Sequence, residues 1–178
     1  MPEFQAFSNQ VEVNGQTVLS VIDGMGTYKD LAKNILRKQN IDHVVETDWY
    51  SQQAWLDAFE EISRSIGSNT LYMIGTKVPE NAKFPPEIDS VEKALISIDM
   101  AYNLNHRGGD IGKYSYERID DRSGRMVCLN PYPCDFDRGL IKAVGEKFSN
   151  GAPVSVTHDN SCGCRKKASD SCTYNIRW

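Results

Sequence analysis

No stretch of this chain approaches the roughly 20 consecutive apolar residues that cross a bilayer. Its first residues, Met1-Pro2-Glu3-Phe4-Gln5, carry neither a basic nor an apolar leader segment. Together these absences predict a cytoplasmic protein. Positive charge is in deficit, with 20 Lys and Arg against 24 Asp and Glu and a net charge of -4. No chain-wide field is available to hold a phosphate backbone, so nucleic acid is not an expected partner. The one basic cluster, Arg165-Lys166-Lys167, reads as a solvated loop tip. Cysteines number five, and an odd count without a leader argues against a disulfide framework and for thiols open to metal or redox chemistry. Also missing are a Ser-His-Asp order, paired carboxylates on a strand end and a metalloprotease His-Glu pair. The segment Gly108-Gly109-Asp110-Ile111-Gly112 follows a helical pattern and precedes a strand, the wrong context for a phosphate loop. A non-catalytic protein is therefore expected.

What is present first fixes the fold class. Gln10 to Ile22 holds Asn14-Gly15 between two β-type runs, which predicts a two-residue hairpin. From Thr27 the period changes to that of helices, with Tyr28, Leu31, Ile35 and Leu36 on one stripe and Trp55, Phe59, Ile62 and Ile66 on another. The second stripe starts near Ser51 and stops at Gly67. A short helix over 71–76 follows, and Asp89 with Glu92 resembles a capping box for a helix through Val91, Leu95, Ile98 and Tyr102. Strands return over Lys113 to Asp120 and Arg125 to Asn130. A helix through Phe136, Leu140, Val144 and Phe148 and a closing hairpin complete the chain. This order predicts a single α+β ligand-binding domain spanning 1–178: an N-terminal hairpin and helical subregion, about 27–106, packed on a C-terminal β-β-α-β-β antiparallel sheet unit, about 112–178.

The closing segment carries the densest chemistry. Val154 and Val156, then Tyr174, Ile176 and Trp178, alternate with polar residues on either side of a loop holding His158, Cys162, Cys164 and Cys172. A hairpin in register sets His158 opposite Cys172. Thiolates and an imidazole are the preferred ligands of a closed tetrahedral zinc site. His158, Cys162, Cys164 and Cys172 are four candidates, with Cys134 and Cys128 in reserve. A Cys162–Cys172 disulfide or redox pair, and inert buried thiols, are the alternatives, because cysteine buries well for its size. In the helical subregion Trp49, Tyr50, Trp55, Phe59, Tyr72 and Met73 concentrate large apolar side chains. They form plain core or line a cavity for a hydrophobic or planar ligand, with Tyr102, His106 and Arg107 as the nearest polar groups. For His106 the plain reading is a helix-end imidazole on a free carbonyl.

With Asn105-His106-Arg107-Gly108-Gly109, the run Asn130 to Gly139 and the Cys162 and Cys172 loop in view, the chain resembles the superfamily that unites haem nitric-oxide/oxygen-binding (H-NOX) domains with 4-vinyl reductase-type domains. The likeness covers about 18–178 and leans to the 4-vinyl reductase-type branch. It implies a sensor domain that takes a small-molecule ligand and regulates a separate output protein such as a kinase or cyclase; a homodimer is compatible with it. The haem branch implies His106 as the iron ligand, making a gas or redox sensor the alternative function. That branch also implies a Tyr-x-Ser-x-Arg propionate clamp, where this sequence reads Tyr132-Pro133-Cys134 without the Ser or the Arg. The expected cofactors are accordingly zinc at the Cys/His hairpin and, behind it, haem.

Overall fold

The computed structural model describes residues 3–178; Met1 and Pro2, the start of the leader reading, lie outside the described residues. Strand β1 (Glu12–Asn14) runs straight into helix α1 (Gly15–Gly24), and no hairpin forms at Asn14-Gly15. Asn14 caps the helix instead: its side-chain oxygen accepts from the Thr17 N–H at 2.9 Å. Gly15 is required by crowding, since a Cβ there would stand 1.8 Å from the Val45 carbonyl oxygen. Val18, Val21 and Ile22, spaced three and four apart, are the buried face of α1. That spacing lay within the run read as a strand, and burial of the face overrode the β preference of its branched residues.

Helix α2 (Lys29–Lys38) and strand β2 (Trp49–Ser51) follow. Helix α3 (Gln52–Ile66) is capped by Ser51 and stopped at Gly67, as its spacing predicts. Helix α4 (Ser68–Asn81) is longer than the 71–76 piece, because Pro79 is accommodated in its last turn. Helix α5 (Val91–Leu104) starts at Ser90, whose hydroxyl accepts from the Lys93 N–H at 3.3 Å; Asp89, read as half of a capping box, pairs with the Lys93 ammonium. Strand β3 (His106–Arg107) pairs antiparallel with β1, which pairs on its other edge with β2.

The second sheet is antiparallel, in the order β4 (Lys113–Asp120), β5 (Ser123–Leu129), β7 (Cys172–Arg177), β6 (Ser155–His158). Helix α6 (Cys134–Lys147) follows β5. The alternating burial of β5 and β7 places Met126, Cys128, Cys172, Tyr174 and Ile176 in the core. Helix α3 reaches that layer through aromatic edges: Trp55 to Phe59 at 4.7 Å, and Phe59 to Phe136 at 5.3 Å. One contiguous buried cluster joins the helices to both sheets, which makes the fold α+β.

Candidate functional site

Two clusters flank the segment 130–137 that joins β5 to α6. The first surrounds His106. The turn after α5 ends the helix with the Asn105 N–H on Ala101, and His106 falls on β3 with its ring turned inward and buried. Its Nδ1 lies 2.8 Å from the Tyr102 carbonyl oxygen, which fixes the proton there, and its Nε2 accepts from the Tyr132 hydroxyl at 2.8 Å. Burial lowers the imidazole pKa to about 4, so it is neutral at physiological pH. Its neighbours are also spent: the Tyr102 hydroxyl donates to the Ile111 carbonyl, and the Tyr114 hydroxyl to Asp137 at 2.6 Å.

These residues form one wall of a cavity of about 260 Å³ bounded by α1, the end of α4 and the following 82–85 loop, α5 and α6. Trp55, Tyr132, Phe136 and Leu140 line its apolar interior. Of the sequence-predicted ligand residues, Tyr102, His106 and Trp55 meet at this cavity. Phe59 is fully buried core, one ring away. Arg107 points the other way; exposed, it bonds Glu12 at 2.7 Å and covers the Trp49 ring at 4.2 Å, because side chains alternate along β3. The Trp55 indole N–H and the Gln52 amide, both buried, have no partner in hydrogen-bonding geometry.

The second cluster is thiol-rich. Single donor atoms of Cys134, His158, Cys164 and Cys172 all lie within 4.8 Å of one another. Cys134 opens α6 and Cys172 opens β7, while Cys164 comes from the intervening loop. The register differs from the expected one: His158 lies opposite Tyr174, and Cys172 lies opposite Cys128 on β5. Cys162 is exposed and outside the cluster, and all five cysteines are free, so the Cys162–Cys172 pairing does not form. The loop's bend turns Cys162 toward solvent and Cys164 inward. Cys134 and Cys172 sulfurs are 2.7 Å apart, and Cys164 lies 3.6 and 3.8 Å from them. The Cys134 S–H and the Arg165 guanidinium and backbone N–H pull the Cys172 thiol below its ordinary range, and the same sulfur contact pushes Cys134 up.

Sequence reasoning missed what lies between the clusters. Arg165, read as a solvated loop tip, is fully buried and pairs with equally buried Asp137, while also donating to the Asn130 carbonyl and side-chain oxygens. Burial raises the Asp137 carboxyl against the pull of Arg165, Tyr114 and Asn130. The lone arginine among lysines was the available signal, because its planar fork suits a buried carboxylate.

The two-sheet α+β frame that carries these clusters is also found in solved structures. An H-NOX protein from S. oneidensis in the Fe(II)NO state superposes with a TM-score of 0.72 at 12% identity, covering 92% of this chain and 98% of that one. The fold is that of H-NOX domains. An oxygen-binding H-NOX domain related to soluble guanylate cyclases gives 0.67 at 15% identity over 92% and 94%. A structure described under the modulation of haem redox potential through protein-induced porphyrin distortion gives 0.67 at 14% over 93% and 99%. No protein-family model and no curated protein matches the sequence. The H-NOX neighbours lend no support to the 4-vinyl reductase-type branch. Among the described residues no helix is long and apolar enough to cross a membrane.

Proposed function

We propose that this chain is a sensor domain that takes a small apolar ligand into the His106 cavity and passes its occupancy to a separate output protein, a kinase or cyclase being the class expected. The observation that carries this reading is an apolar cavity with a buried neutral imidazole in its wall, inside an H-NOX fold. Ligand contact with Tyr132 and Phe136 would act directly on the first turn of α6.

Haem, named with these neighbours, is the second reading, and His106 favours it. Its proton sits on Nδ1 against a carbonyl, which makes Nε2 the ligand atom, and the Tyr132 hydroxyl now on Nε2 would have to give way to the iron. The propionate end does not fit. Cys134 and Phe136 stand where the clamp would have Ser and Arg, Phe136 is stacked on Tyr132 at 5.3 Å, and among the described residues Lys83 at the rim is the only cation in the lining. The residues present therefore do not make a complete haem site. Reconstitution with hemin followed by absorption spectroscopy tests this: the expected result is no Soret band that His106→Ala abolishes, alongside saturable binding of an apolar fluorescent probe. A Soret band lost in that variant makes haem the ligand.

The thiol cluster fits zinc. Arms of about 2.3 Å in a tetrahedron put sulfurs about 3.8 Å apart, which matches the two Cys164 separations, while the Cys134 and Cys172 sulfurs, 2.7 Å apart, would have to part by about 1 Å around the ion. Cys134, Cys164, Cys172 and His158 would hold the ion as a closed structural site, tying β6, β7 and α6 together.

A further inference from the structure

Among the described residues the aromatic interior of the His106 cavity offers an anionic head few unengaged donors, the Thr17 hydroxyl of α1 standing in its wall. Both His106 nitrogens are hydrogen-bonded, and the hydroxyls of Tyr102, Tyr114 and Tyr132 donate elsewhere in the protein. The unpartnered Trp55 N–H and Gln52 amide are buried with no accessible surface. A carboxylate carried inward would lose more water than these groups replace, so an ionised end is better placed at the mouth.

The mouth is not neutral. Lys83, exposed on the loop after α4, is the one charged side chain lining it among the described residues. Lys147, exposed at the end of α6, reaches the same rim: its ammonium lies 4.8 Å over the ring of Phe84 and donates to the Pro79 carbonyl at 2.6 Å, and both residues line the cavity. Nearby charges are paired with each other, Lys77 with Glu80 at 2.7 Å and Lys142 with Glu146 at 2.5 Å. Neither Lys83 nor Lys147 is bonded to a carboxylate among the described residues. Exposed Met100 and Leu104 complete an apolar lip.

We infer that the cavity selects an apolar monocarboxylate, such as a medium-chain aliphatic acid, with its tail inside against Leu140 and Phe136 and its carboxylate at the mouth between Lys83 and Lys147. The assignment rests on the cavity being the ligand site and adds the chemical class. An anionic head is favoured there because the two exposed ammonium groups have no carboxylate partner among the described residues, and a charge-assisted contact exceeds what an alcohol or ester gains. The neutral wall around His106 opposes the reverse orientation.

The test compares decanoate, decan-1-ol and methyl decanoate by titration calorimetry and Trp fluorescence on the full chain. Decanoate is expected to bind about tenfold more tightly than the alcohol or ester at low ionic strength. That preference should shrink at about 1 M salt, where exposed charges are screened. The double variant Lys83→Gln/Lys147→Gln, altered only at exposed positions, should lose the preference and keep the alcohol affinity. Equal binding of all three probes, or a preference that survives in the double variant, overturns the carboxylate assignment and leaves the cavity as the ligand site. No binding by any probe overturns both.

Discussion

At the scale of single residues, the strongest commitments are buried polar groups that answer one another. Arg165 and Asp137 are both fully buried, so removing one strands the charge of the other. Arg165→Met is expected to cost about 3–5 kcal/mol in denaturant unfolding, whereas Arg165→Met combined with Asp137→Leu should recover much of that loss. A double variant no more stable than the single would remove the pair from this role. His106 makes a pH signature. Its folded pKa of about 4 lies below the ordinary value of 6.5, so the unfolded chain binds the extra proton first. The His106 contribution is complete above about pH 6.5, falls as pH drops through the window from 6.5 to about 4, and is constant below it. It amounts to about 3 kcal/mol across that window. Melting temperatures from pH 7 to 4 should fall more steeply for the wild type than for His106→Gln; parallel curves would exclude the imidazole as the source.

At the scale of elements, close packing of α4 on α6 positions the first turn of α6, and with it both Cys134 and Phe136. A Cβ at Gly139 would lie 2.2 Å from the Tyr72 carbonyl oxygen, a backbone atom that cannot yield alone. Gly139→Ala should therefore destabilise by about 1–3 kcal/mol in equilibrium unfolding and loosen the cavity wall, an effect absent if the helices can separate freely. The β6–β7 hairpin depends on a different tie. With zinc bound by Cys134, Cys164, Cys172 and His158, a chelator should lower the melting temperature, since metal affinity is partly folding energy. Native mass spectrometry should find one zinc in the wild type and in Cys162→Ser, and none in Cys164→Ser. Retention of the metal in Cys164→Ser, or its loss in Cys162→Ser, would restore the loop reading in which Cys162 is the ligand.

At the scale of the whole molecule, the two sites share one connecting segment. Tyr132 touches His106, Cys134 belongs to the thiol cluster, Phe136 lines the cavity and Asp137 receives Arg165, all within six residues. On the proposed sensor reading, the element attached to the ligand site that would move or stiffen is the start of α6. If cavity occupancy acts through it, saturating decanoate should slow amide hydrogen exchange in residues 130–140 as well as around His106. Protection confined to α5 would disconnect the cavity from α6.

The sequence by itself determined what depends on local periodicity and local chemistry. The α3 stripe with its Ser51 and Gly67 ends, the β4–β5 hairpin, the α6 face and the α+β class follow from spacing and caps that act within a few residues. It also concentrated the thiols and the imidazoles worth watching. Tertiary structure alone decided whether Asn14-Gly15 turned a hairpin or capped a helix, because the choice lay with burial of Val18, Val21 and Ile22 against distant elements. It decided too that Cys134 joins the cluster from 30 residues before Cys164 while Cys162 stays outside, and that Arg165 goes in while Lys166 and Lys167 stay out. The reason is common to all three: a side chain's partner across the core is set by sheet register and helix packing, which a one-dimensional pattern specifies only after the whole chain has folded.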